Sequence, residues 1–195
     1  MFLITLILFA FNSLQPSCDC WSENIKLKWS DFQGKPDMSV RTSVKSNAEA
    51  LIATRLVITK KDFNQKIPDF IATSCIIKSE SWTVDTTSVE LLQHEQLHFD
   101  ISELFARKIR REFSILRAKK VQDVSEYQMV IDKYKNQRDL LNKKYDRETG
   151  NGGVDFVQEE WNLKVLKELN NYKSYSLSSK ECSCEISPES EKKKN

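Results

Sequence analysis

The two histidines of the chain, His94 and His98, lie four residues apart in a segment whose apolar residues recur with helical spacing. Residues at i and i+4 share one face of an α-helix, so both imidazoles are expected to point the same way. The segment reads His94-Glu95-Gln96-Leu97-His98, which matches the HExxH pattern. In that pattern two imidazoles bind zinc, and the glutamate beside the first ligand takes a proton from water. The motif therefore predicts a helix that carries part of a zinc (Zn2+) site.

The face of the predicted helix that carries the histidines is apolar beyond them. At 100° per residue it continues through Ile101, Phe105, Ile109 and Leu116. An apolar stripe of this kind packs toward the core of a globular protein, so the histidines are expected on the buried side of the helix. By the same arithmetic Asp100 and Glu103 point away from the histidines, and we expect them to be supporting or surface groups.

The residues before this helix have the patterns of a small sheet. Alternating apolar and charged residues predict a strand at 25–29. Stretches rich in β-branched and aromatic residues predict further strands within 50–59 and 70–84. Together these segments predict a small, mostly antiparallel sheet.

Three helices are predicted after the sheet, over residues 87–119, 125–150 and 155–172, and each begins with a capping-box pattern. The predicted fold class is α+β. A small N-terminal sheet is followed by a long HExxH helix, an antiparallel return helix and a C-terminal helix, which is the element order of a zincin. We expect residues 18–175 to form one domain and residues 176–195 to form a polar tail that contains cysteine and lysine.

The length of the helices narrows the choice of a third metal ligand. The first helix extends about 31 Å beyond the second histidine, and a return helix covers that distance by about Arg147. Its inward stripe passes through Tyr145 and reaches Glu148 next, which makes Glu148 the predicted third ligand. Asp146 is the alternative, since helices unwind near glycines. Tyr145 is predicted to donate a hydrogen bond to the oxyanion of a tetrahedral intermediate, with a buried core tyrosine as the competing interpretation.

The first 17 residues contain an uncharged apolar run of about ten residues, too short to span a bilayer as a helix. We interpret residues 1–17 as a signal peptide, with an uncleaved anchor as the alternative. The protein is therefore expected to be exported, to the periplasm or outside the cell.

The five cysteines form two close pairs, at the start and end of the predicted mature chain, and one isolated residue: Cys18, Cys20, Cys182, Cys184 and Cys75. In an oxidising compartment this arrangement favours disulfides that join the two ends of the domain. Two alternatives stay open. Cys18 can instead carry the lipid of an outer-membrane lipoprotein, the one case in which we expect contact with a membrane, or the two pairs can bind a structural zinc ion.

The charges of the chain are balanced, with 30 Lys and Arg against 28 Asp and Glu. A balance of this kind argues against a nucleic-acid-binding protein. The basic residues between positions 107 and 120 are interleaved with acidic ones, so we interpret them as a solvated helix face.

Residues 27–37, 91–101 and 145–149, together with Gln158 and Trp161, resemble a set of secreted bacterial proteins, number nine hundred and twenty-two in the domain-of-unknown-function series. That set is regarded as a zinc-dependent peptidase family of the zincin group. The similarity extends roughly from residue 21 to residue 172, and the segment at 94–100 is its most specific part. The resemblance implies a zincin-like fold and metallopeptidase activity, with both histidines as zinc ligands and the motif glutamate as the base.

One residue departs from the family pattern, which continues Tyr-Asp-x-Glu-Thr-x-His-Gly. Asn151 stands where the family has this histidine. If that histidine is the third ligand elsewhere, this chain needs Glu148 or Asp146 to complete the site, or it binds metal more weakly.

The motif and the resemblance together predict a zinc-dependent metallopeptidase that acts on a peptide or protein substrate, with Glu95 as general base and then acid. The competing hypothesis is a non-catalytic envelope protein that uses the helices as a binding scaffold, with a degenerate or structural metal site.

Overall fold

The structure is a computed structural model, and it describes residues 18–36, 48–62, 65–178 and 181–182. The predicted signal peptide at residues 1–17 and Cys184 lie outside the described residues. The strands are β1 (Cys18–Cys20), β2 (Ala50–Leu51), β3 (Thr54–Asp62), β4 (Asp69–Ile77) and β5 (Trp82–Thr83). The helices are α1 (Val89–Ala118), α2 (Val124–Thr149) and α3 (Asp155–Asn171).

Two small antiparallel sheets precede the three helices, which confirms the predicted α+β class. One sheet has three strands in the order β1-β4-β3, and the other pairs β2 with β5. Strand β4 is the central strand, and its residues from Ile71 to Ile77 are all buried. Because successive side chains point to opposite faces, seven consecutive buried residues show that both faces of this strand are covered.

The predicted strand at 25–29 is wrong. This segment is irregular and ends in a short 3-10 helix at Trp29–Asp31. The backbone N–H of Leu27 donates to Gln96 Oε1 on α1 at 2.9 Å, and that of Lys28 donates to Asp31 Oδ2 at 2.9 Å. Because side chains satisfy these amides, the segment does not need a strand partner.

All three predicted helices are present, but each is capped by a different residue from the predicted one. Ser88 caps α1 by accepting from the Leu91 amide at 3.0 Å, whereas the preceding Thr87 donates its hydroxyl to Asp85. Asp123 caps α2, two residues before the predicted start, and Val154 takes the capping position of α3. Several neighbouring residues can cap a helix, so the capping pattern locates the start only to within a turn.

Helix α1 forms the centre of the fold, because it packs against the three-stranded sheet on one side and against α2 and α3 on the other. The main core cluster draws on all three helices. Its largest members are Phe105, Phe113, Tyr127, Tyr134, Tyr145 and Trp161. The return helix is therefore antiparallel to α1, as predicted, and its last turn comes back beside the start of α1.

The interpretation of the basic residues between positions 107 and 120 as a solvated face is wrong for Arg107 and Arg110, whereas Lys119 and Lys120 are exposed. Glu103 is 4 % exposed, and its Oε1 accepts from Arg107 Nε at 2.9 Å and from Arg110 Nη2 at 2.6 Å. The two arginines are buried as well, and they also donate to the backbone carbonyls of Leu169 and Ala72. This ion-pair network lies between α1, α3 and the sheet rather than on a solvated face.

Two disulfides tie the sheet to itself and to the end of the chain. Cys18 pairs with Cys75 and so joins β1 to β4, while Cys20 pairs with Cys182 over a separation of 162 residues. A thiol in a disulfide cannot carry a lipid or bind zinc, so the structure favours neither alternative for Cys18. Two disulfides indicate an oxidising, non-cytoplasmic location. None of the helices among the described residues combines the length and apolar character needed to cross a membrane.

Candidate metal centre

Helix α1 brings the two histidines and the glutamate of the motif together in its second and third turns. His94 and Glu95 are each 3 % exposed, and the His98 side chain is partly buried. The Nε2 atoms of the histidines lie 3.2 Å apart, and their rings are nearly perpendicular. The i, i+4 spacing therefore aims both Nε2 atoms at one point, as expected from the sequence.

Helix α2 adds a carboxylate at the same point. Asp146 Oδ1 lies 2.8 Å from His98 Nε2 and 3.5 Å from His94 Nε2. Among the described residues this is the group of histidine, cysteine and acidic side chains that could hold a metal ion. Two imidazole nitrogens and one carboxylate oxygen form a donor set typical of zinc.

The separations within this triad fit a shared ion. Ligands bound at 2.0–2.1 Å around a tetrahedral zinc ion are about 3.3 Å apart. The distances of 3.2 Å between the histidines and 3.5 Å from His94 to Asp146 agree with this value, whereas His98 and Asp146, at 2.8 Å, lie closer together. Asp146 Oδ1 is also buried, and no hydrogen bond of acceptable direction reaches it within the described part of the chain. A cation held between the two imidazole nitrogens and this carboxylate oxygen would satisfy it.

The other nitrogen of each imidazole is held by a side-chain amide. His94 Nδ1 lies 3.3 Å from Gln158 Oε1 on α3, and His98 Nδ1 lies 3.1 Å from Asn142 Oδ1 on α2. An amide oxygen only accepts hydrogen bonds, so this arrangement keeps the proton on Nδ1 and leaves the Nε2 lone pair for a metal. Each ligand on α1 is thus oriented by a residue from a neighbouring helix.

The structure does not bring Glu148 to the histidines. Its Oε2 accepts from Trp161 Nε1 at 3.1 Å, and its Oε1 lies 3.7 Å from Lys144 Nζ. Helix α2 stays regular through Thr149, whose side chain is buried one turn after Tyr145. The inward stripe therefore continues from Tyr145 to Thr149, and Asp146, the alternative left open by the sequence, is the carboxylate that faces α1.

Tyr145 packs against the rings of both histidines. Its ring stacks on that of His94, with centroids 4.5 Å apart, and its hydroxyl donates to Gln158 Oε1 at 2.6 Å. Burial raises the pKa of this phenol well above its ordinary value. The side chain is fully buried and supports the ligands, an arrangement that corresponds to the competing core interpretation; it does not face the cavity described next.

The triad lines a cavity of about 760 Å³. Residues 48–52 around strand β2 also line it, as does the turn at 150–153 between α2 and α3. Asn151, which stands at the histidine position of the family pattern, lines the cavity as part of this turn. The cavity is large enough for a few residues of an extended peptide.

Glu95 lines the same cavity and is held by the segment around strand β2. The backbone N–H of Ile52 donates to Glu95 Oε2 at 2.9 Å. Burial raises the pKa of Glu95, although the two histidines and this hydrogen bond work against the shift. A carboxylate that takes up and releases a proton benefits from a pKa raised in this direction.

The triad itself is electrostatically coupled. Burial alone would raise the pKa of Asp146, but the two imidazoles outweigh it and lower that pKa far below its ordinary value. Burial disfavours the charged form of His98, yet the neighbouring carboxylates of Asp146 and Glu95 raise its pKa overall. The attraction between the carboxylates and the imidazoles therefore favours the charged forms of Asp146 and His98.

Residues 73–153 match a family described as a bacterial protein of unknown function (DUF922). No curated protein and no solved structure matches the chain. The matched segment runs from β4 to the turn after α2 and contains His94, Glu95, His98 and Asp146, so the similarity to this family covers the candidate metal centre.

Proposed function

We propose that this protein is a zinc-dependent hydrolase of the zincin type that cleaves peptide bonds in an exported location. The observation that carries the proposal is the convergence of His94 Nε2, His98 Nε2 and Asp146 Oδ1 within a cavity that Glu95 also lines. Structural zinc sites have four protein ligands, whereas catalytic sites have three and leave a position for water or substrate. Three protein ligands at an open cavity support the catalytic class.

Bound zinc would supply a Lewis acid that polarises a carbonyl group and makes water more acidic. The chain supplies the remaining groups. Glu95 accepts a proton from the attacking water and then donates it to the leaving nitrogen. The Ile52 amide holds Oε2 of this carboxylate, which leaves Oε1 for the proton.

Metal analysis of the purified, disulfide-bonded protein tests the site. We expect close to one zinc ion per chain by elemental mass spectrometry, with the ion lost in His98→Ala and in Asp146→Ala. Glu148→Ala is the matched control, because its carboxylate contacts Trp161 instead of the histidines. A protein that takes up no zinc, or one that loses it only in Glu148→Ala, contradicts this site.

Hydrolysis of a mixed peptide library tests the activity. We expect Glu95→Gln to abolish cleavage while zinc stays bound, and Glu126→Gln, an exposed residue in the first turn of α2, to leave it intact. Zinc binding without cleavage by the parent would instead indicate the non-catalytic scaffold.

A further inference from the structure

The turn between α2 and α3 contacts both sides of the candidate metal centre. The backbone amides of Gly150 and Asn151 both donate to the Asp146 carbonyl, the latter at 2.9 Å. Two residues further on, Gly152 lies against the His94 side chain: a Cβ atom at position 152 would be 3.0 Å from His94 Cβ and 3.2 Å from Cγ. The turn at 150–152 therefore contacts both the backbone of Asp146 and the side chain of His94.

From these contacts we infer that Gly152 is a positioning residue for the metal centre. Its lack of a side chain allows the distance between His94 and Asp146 that the site needs. The inference rests on the proposed function, because it needs the triad to bind a metal. Gly152 does not contact the ion's ligand atoms itself. It acts through the His94 side chain, whose ring is also packed against the stacked ring of Tyr145.

The ring of His94 has little room to move away from a new side chain. Tyr145 stacks on it, and Gln158 Oε1 holds its Nδ1 atom. Contacts of 3.0–3.2 Å to carbon are too short for relaxed packing. A methyl group at position 152 must therefore displace either the turn or the His94 ring, and both movements change the distance between His94 and Asp146.

Alanine substitutions at the three glycines of this turn distinguish the effect of a contact with His94 from the effect of backbone conformation. Gly150 has φ of +59°, but a Cβ there would have only an ordinary contact at 3.7 Å, with Val154. Gly152 has φ of +88° together with the close contact to His94, and Gly153 has neither feature. Gly150→Ala thus measures only the destabilisation caused by a side chain in the left-handed conformation. Gly153→Ala is the control for adding a methyl group to this turn.

The experiment is the zinc dissociation constant of the full chain, measured by competition with a chromophoric chelator. We expect Gly152→Ala to weaken zinc binding about 10- to 100-fold, the range for residues that orient metal ligands. We expect Gly150→Ala and Gly153→Ala to remain within about threefold of the parent. Absorption bands of the cobalt-substituted protein, which report ligand geometry, should shift only in Gly152→Ala.

If Gly152→Ala folds poorly, the Tm of the zinc-free protein provides a second test. In the zinc-free protein, His94→Gly removes the atoms that a Cβ at position 152 would meet. In that background we expect Gly152→Ala to lower Tm no more than Gly150→Ala does, whereas in the parent it lowers Tm more.

Two results overturn the inference by itself: zinc binding in Gly152→Ala as tight as in Gly150→Ala, or an unchanged Tm penalty in the His94→Gly background. A parent protein that binds no zinc overturns the proposed function, and the inference with it.

Discussion

Gln158 and His94 lie on different helices, yet Gln158 Oε1 is 3.3 Å from His94 Nδ1 and so fixes which nitrogen of the imidazole carries its proton. The orientation of the amide is itself determined. Gln158 Oε1 accepts from the Tyr145 hydroxyl at 2.6 Å, and Gln158 Nε2 donates to Asn162 at 2.9 Å. Helix α3 thus orients a side chain of the candidate metal centre without contributing a potential ligand to it.

Gln158→Leu should weaken zinc binding about 10- to 100-fold, because the imidazole loses the acceptor that fixes its tautomer. Gln158→Glu keeps an acceptor oxygen at the same position and should retain most of the affinity. The zinc dissociation constant of each variant is the measurement. Parent-like affinity in Gln158→Leu would show that packing alone orients His94.

The buried ion-pair network in the middle of α1 predicts a large effect on stability. Glu103→Ala leaves Arg107 and Arg110 without their shared carboxylate and should lower the free energy of unfolding by about 3–5 kcal/mol. Glu112→Ala removes a more exposed pair with Arg111 and should cost less than about 1 kcal/mol. Equal losses for the two variants in urea denaturation would contradict this assignment.

The N-terminus of α2 predicts a pH-dependent contribution to stability. Hydrogen bonds from Ser125 lower the pKa of Asp123 below its ordinary value of 3.8. A carboxylate whose pKa is lower in the folded state stabilises the protein above the pKa of the unfolded state, and this contribution is lost as the pH falls through the folded pKa. Asp123→Asn keeps an acceptor but removes the charge.

The Tm of the parent should therefore exceed that of Asp123→Asn at pH 7, and the difference should shrink below about pH 4. Thermal unfolding of both proteins across this pH range is the measurement. A difference that grows on acidification would mean that the charge of Asp123 does not stabilise the helix.

The structure predicts which cysteines are paired and how much one disulfide contributes to the free energy of unfolding. Non-reducing peptide mapping should recover Cys18 with Cys75 and Cys20 with Cys182. Replacement of Cys18 and Cys75 by serine opens a loop of 57 residues and should lower the free energy of unfolding by about 4 kcal/mol in the chain-entropy model. Recovery of Cys18 paired with Cys182 would contradict the register of β1 against β4.

The sequence by itself determined the helices and the first half of the metal site, because both depend on short-range periodicity. The histidines share a helical face whatever the rest of the chain does, since a spacing of four residues brings them to within one turn. The three helices were equally predictable from their apolar stripes. Their exact capping residues were not, because Thr87 and Ser88 offer the same chemistry one residue apart.

Only the tertiary structure decided which groups complete the site. Whether Asp146 or Glu148 reaches the histidines depends on how α2 is rotated against α1, and that rotation is set by the burial of Tyr145 and Thr149. The amide of Gln158 and the bare backbone of Gly152 come from beyond this helix, and their contacts with His94 depend on how α3 and the preceding turn pack against α1. The same holds for Glu103, whose charge predicts exposure until its two buried arginine partners are known. Local spacing determines which residues share a face of a helix, whereas long-range packing determines which other elements that face contacts.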